Sequence, residues 1–121
     1  MRILVVEDHS DSAEMLARIL GARGHHVESV ATGAEALERC ADTHYDLLIA
    51  DLGLPDFDGW ELLLRVRKTC DIRSIALSAY AQTTDIDKSL ATGFDAHLTK
   101  PVDVATLVAT VEGATPTPTP A

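Results

Sequence analysis

The chain is short of positive charge: 10 Lys and Arg stand against 19 Asp and Glu, a formal net charge of -9. No basic stripe runs along it, and such a stripe is the electrostatic footprint of a nucleic-acid binder, so that class of partner is excluded. Cysteine is scarce as well. Cys40 and Cys70 lie far apart, without CxxC or metal-type spacing, which speaks against a zinc ribbon. Two unpaired, partly buried thiols fit a reducing compartment. No apolar run is long enough to span a bilayer, and no signal-peptide pattern is visible. The expectation is therefore a cytoplasmic location with no membrane contact. Aromatic residues make up 4% of the chain, and Phe57, Trp60 and Phe94 read as packing residues. No Gly/Ser/Thr-rich loop follows the first apolar run, which argues against a phosphate-loop cofactor binder. His9, His25, His26 and His44 show no metal-ligand spacing and are expected on the surface or at interfaces. There is no internal repeat.

What is present is a set of short apolar runs, each ending in a chemically useful polar residue. Ile3 to Val6 runs into Glu7-Asp8, and Leu47 to Ala50 into Asp51. Ile75 to Leu77 runs into Ser78, and Ala96 to Thr99 into Lys100-Pro101. Runs of this kind suit strands buried on both faces of a parallel sheet. Ligands of such sheets bind beyond the carboxyl ends of the strands. Three carboxylates, a hydroxyl and an ammonium would then converge on one rim. Two unit charges ~4 Å apart interact by ~4 kcal/mol at an effective dielectric near 20, so clustered carboxylates need a cation, a proton or separation. Mg²⁺ suits the set, because it takes oxygen ligands and pairs with phosphate oxygens.

Helical segments alternate with these runs, which predicts an α/β fold. Asp11 with Glu14, and Thr32 with Glu35, are spaced as capping boxes opening the first two helices. Gly24 is a stop for the first, and Val27 to Val30 is a short second strand. Gly53-Leu54-Pro55-Asp56 and Asp58-Gly59 are turn signals before a helix from about Trp60 to Lys68. A fourth helix covers about Thr84 to Ala91, with Gly93 ending it. Asp103 caps the last helix, whose Val104, Leu107, Val108 and Val111 share one face. Five βα units with right-handed crossovers predict a doubly wound, flavodoxin-like (βα)5 fold with strand order 2-1-3-4-5. Residues 1–113 form the domain, and the Thr/Pro-rich 114–121 is an extended tail or linker.

With these pieces in order, the chain resembles the receiver domains of two-component response regulators from about Met1 to Glu112. The matching segments are the acidic pair in ILVVED, DLGLPDFDG around Asp51, LSAYA around Ser78 and LTKP around Lys100. GFDAHLTKPVD also looks like receivers of hybrid histidine kinases. The resemblance implies that Asp51 takes a phosphoryl group from a histidine kinase or histidine phosphotransfer protein. It implies Mg²⁺ held by Asp8, Asp51 and the Gly53 carbonyl, with Glu7 acting mainly through water. Lys100 and the Ser78 hydroxyl would hold phosphoryl oxygens, and the Lys100-Pro101 bond would be cis.

Further implications concern switching and partners. Ser78 stands where Thr is commoner, and His97 stands at the position of an aromatic ring that turns inward on activation, which puts that rotamer switch in doubt. Gly53 and Tyr80 flank the approach of water to the phosphoryl group, and slow dephosphorylation is expected. Ser12, Met15, Pro101 and Val102 match positions that dock a helical phosphodonor. A monomer or weak dimer is expected, with a regulatory and not an enzymatic role. The competing reading is a small phosphohydrolase with Asp51 as nucleophile. Such enzymes carry a second Asp two residues on, where this chain has Gly53.

Overall fold

The computed structural model describes residues 1–79 and 83–113; Tyr80 and the expected tail, 114–121, lie outside them. Five strands alternate with five helices: β1 (Arg2–Val6), α1 (Ser10–Ala22), β2 (His26–Val30), α2 (Gly33–Asp42), β3 (Leu47–Asp51), α3 (Gly59–Val66), β4 (Arg73–Ser78), α4 (Thr83–Thr92), β5 (Ala96–Thr99) and α5 (Val104–Gly113). All pairings are parallel, in the expected order β2-β1-β3-β4-β5.

The apolar runs are continuous because the central strands are covered on both faces. Successive side chains of a strand point to opposite faces. Leu4, Val6, Leu48, Ala50 and Ala76 therefore pack on one side, with Ala36 and Cys40 of α2 and Leu62, Leu63 and Val66 of α3. Ile3, Val5, Leu47, Ile49, Ile75 and Leu77 pack on the other, with Leu16 and Leu20 of α1 and Leu107 and Val111 of α5. Truncating any of the fully buried strand leucines to Ala would cost roughly 2–5 kcal/mol. β2 has no such run because it is an edge strand, and only its Val30 is buried.

Most helix ends follow the local chemistry. Thr32 Oγ1 accepts from the Glu35 N–H at 3.1 Å, and Asp103 Oδ2 accepts from the Thr106 N–H at 2.9 Å. The expected Asp11 cap is a correction: α1 starts at Ser10, His9 is the N-cap, and no side chain caps that end. Asp11 sits in the first turn, where its charge complements the helix dipole. α3 starts at Gly59, capped by Asp58, whose Oδ1 accepts from the Glu61 N–H at 2.8 Å. It ends at Val66, two residues short of the expected Lys68, within the usual fraying of helix ends. Gly93, after α4, has φ 122°, a conformation that favours glycine.

Candidate functional site

Register brings the polar residues together. Val6 of β1 is paired with Ala50 of β3, so the next residues, Glu7 and Asp51, emerge side by side. Ser78 of β4 is paired with Thr99 of β5, so Lys100 follows immediately beyond it. The Lys100-Pro101 peptide bond is cis. A Cβ on Gly59 would stand 2.7 Å from the Asp51 carbonyl oxygen, so only glycine lets α3 start this close to the end of β3.

Lys100 ties the rim together. Its Nζ lies 2.8 Å from Asp51 Oδ2 and 3.1 Å from each oxygen of Glu7. The Asp51 carboxylate also accepts from the Gly53 N–H, at 2.9 Å. Glu7, Asp51 and Ser78 are all buried, while Asp8 is exposed. His9 reaches back to the same carboxylates: its Nδ1 is 3.2 Å from Glu7 Oε1 and 3.3 Å from Asp8 Oδ1. Asp51, Gly53, Ser78 and Lys100 share a cleft of about 330 Å³ with His9, Leu52, Trp60, Ala79 and Asp85.

The charges share the site unevenly. Burial, followed by the interactions with Asp51, pushes Glu7 up from 4.5 to about 7, against the lowering effect of Lys100. Burial would also raise Asp51, but hydrogen bonds with Glu7, Lys100 and the Gly53 N–H outweigh it and hold Asp51 below the usual carboxylate range. Burial would lower Lys100, yet its bonds to Asp51 and Glu7 win and raise it. The proton thus favours Glu7, and Asp51 stays an anion able to act as a nucleophile. Around this rim three carboxylates face one ammonium, an oxygen-rich and negative set that fits a divalent cation.

Other expected residues fall outside this cluster. His97 is half-buried on β5, and its Nδ1 lies 2.8 Å from Ser89 Oγ of α4. Ser89 Oγ also accepts the Trp60 indole N–H at 2.9 Å. Ser12 and Met15 lie in the first turns of α1, with Met15 47% exposed. Pro101 is exposed, and Val102 packs against the same apolar cluster as Leu16 and Leu20 of α1. Sequence reasoning missed His9 beside the carboxylates and the bond of Trp60 to Ser89. Adjacency of His9 to Glu7-Asp8 was the only signal for the first, and the second joins residues far apart in the chain.

The geometry describes a rim of carboxylates bridged by one lysine at the end of a doubly wound sheet, and comparison with known proteins gives its class. Residues 3–112 match the response regulator receiver domain family, and the chain belongs to it. Members of that family are the regulatory phosphoacceptor modules of two-component phosphorelays, and the match favours this reading over a phosphohydrolase. The chain is 38% identical over 115 residues to an uncharacterized 14.6 kDa protein in the sodA1 3′ region of Leptolyngbya boryana, covering 93% of this chain and 88% of that one. It is 34% identical over 108 residues to the sensor protein EvgS of Escherichia coli K12, covering 88% of this chain but 9% of EvgS. Among solved structures, a CheY-like receiver domain protein from Methanospirillum hungatei JF-1 superposes with a TM-score of 0.87 at 32% identity, over 93% of this chain and 90% of that one. Among the described residues, no helix is long and apolar enough to cross a membrane.

Proposed function

We propose that this chain accepts a phosphoryl group on Asp51 from a phosphohistidine of a histidine kinase or phosphotransfer protein. The carrying observation is the Asp51 carboxylate at the end of β3, held 2.8 Å from Lys100 beside Glu7. An Asp51 oxygen attacks phosphorus, an O–P bond forms, the N–P bond breaks, and the donor imidazole leaves with the electron pair. Lys100 and the Ser78 hydroxyl hold the phosphoryl oxygens. Asp8, Asp51 and the Gly53 carbonyl would hold Mg²⁺, with Glu7 acting through water; when bound it would supply charge neutralisation at the phosphoryl oxygens. The chain's own contribution is positioning and electrostatics, so its role is regulatory.

The partner docks, on this reading, over Ser12, Met15, Pro101 and Val102. The phosphoryl group then biases the loops after β3 and β4 and the face of α4, β5 and α5, where Leu90 and Val104 are exposed. A cytoplasmic location and a monomeric or weakly dimeric state accord with this role. Transfer profiling tests it: purified histidine kinases and phosphotransfer domains from the same genome are incubated with the chain, with Mg²⁺ or with EDTA. One donor should label the chain much faster than the rest and only with the cation. Equal, cation-independent labelling by all donors would contradict the reading.

A further inference from the structure

The histidine at the mouth of the acidic rim is placed to do more than pair with its neighbours. One donor atom from each of Glu7, Asp8, His9 and Asp51 lies within 4.8 Å of all the others. In a six-coordinate site with bonds near ~2.1 Å, adjacent ligand atoms are about 3 Å apart and opposite ones about 4.2 Å apart. The 3.3 Å from His9 Nδ1 to Asp8 Oδ1 has the spacing of adjacent ligands. The ring also lines the cleft that holds Asp51, Gly53, Ser78 and Lys100. It has no competing structural duty at the start of α1, because the His9 side chain makes no capping bond there.

A nitrogen donor changes which cation such a site prefers. Mg²⁺ is served by oxygen ligands, whereas an imidazole among carboxylates suits the mid-row transition ions, with affinity rising from Mn²⁺ to Ni²⁺. We infer that His9 is a ligand to the cation bound by Asp8 and Asp51, and that it shifts the selectivity of this site toward Mn²⁺ and Ni²⁺ relative to Mg²⁺. The inference rests on the cation-binding reading of the rim given above.

The test uses the full chain in a His26→Gln, His44→Gln background, which removes two exposed imidazoles that could bind nickel on their own. Pulsed electron paramagnetic resonance of bound Mn²⁺ should show coupling to an imidazole nitrogen, and His9→Ala should abolish it. Calorimetry should show His9→Ala weakening Ni²⁺ binding roughly tenfold or more while Mg²⁺ affinity stays within about twofold. Bound Mn²⁺ without nitrogen coupling, or equal weakening of Ni²⁺ and Mg²⁺ binding by His9→Ala, would overturn the role of His9 and leave the rim intact. If the parent bound no divalent cation at all, the rim itself would be misread and this inference would fall with it.

Discussion

Ser89 Oγ lies 2.8 Å from His97 Nδ1, and the same oxygen accepts the Trp60 indole N–H at 2.9 Å. An indole N–H can only donate, so the serine proton is available to the imidazole. The residue at the expected aromatic switch position is thus fastened to α4 and, through Ser89, to α3. Ser89→Ala would leave two partly buried nitrogens without this partner, at ~1–3 kcal/mol. Urea unfolding should show that loss, and the Trp60 emission maximum should move. Unchanged stability and emission would show that the chain of three carries no weight.

Glu7 gives the apo protein a pH dependence. Its carboxyl holds its proton up to about 7 in the folded state against an ordinary glutamate value of 4.5, facing Asp51, Lys100 and His9. A raised carboxyl favours the folded state fully below the unfolded value and loses that contribution as pH rises through the folded one. In EDTA, the parent should therefore lose stability relative to Glu7→Gln as pH rises from about 5 to 8. Denaturant midpoints at several pH values measure the difference. A parent that gained on the variant over that range would reverse the assignment.

Cys40 should be the slower thiol. Burial, followed by the neighbouring Cys70, pushes it up to about 11, and little thiolate exists at pH 8. With a disulfide reagent on the folded chain, Cys70 should react first and Cys40 only on unfolding. Equal rates for both would contradict the packing of Cys40 between α2 and the sheet.

Met15 is the exposed apolar residue on α1 nearest in sequence to the acidic rim. Met15→Glu should slow transfer from the protein donor by roughly tenfold, the equivalent of ~1.4 kcal/mol. Labelling by a small phosphodonor should stay near the parent rate, because Lys100, Ser78 and the carboxylates are untouched. If both donors slowed alike, the docking surface is misplaced.

Much of this was legible in the chain because parallel strands buried on both faces leave a plain record. Leu47 to Ala50 is apolar throughout, and the first polar residue after it, Asp51, marks the acidic rim. The same logic placed Glu7, Ser78 and Lys100. What stayed hidden joins distant positions. Asp56 reads as a turn residue, yet its carboxylate accepts from the Gly33 and Ala34 N–H groups at 3.0 and 2.9 Å and pins the loop after β3 to the start of α2. Trp60 reads as core filler, and only the packing of α3 against α4 shows its bond to Ser89. Asp11 had cap spacing, but the chain enters α1 two residues early, with His9 at the cap position, and His9 turns toward the carboxylates instead.

The central claim is that Asp51 is the phosphoacceptor, and intact-mass measurement after incubation with a small phosphodonor and Mg²⁺ tests it most directly. The parent should gain a single phosphoryl group, lost on omission of the cation, and Asp51→Asn should gain none. Undiminished labelling of Asp51→Asn would place the acceptor elsewhere and contradict the account.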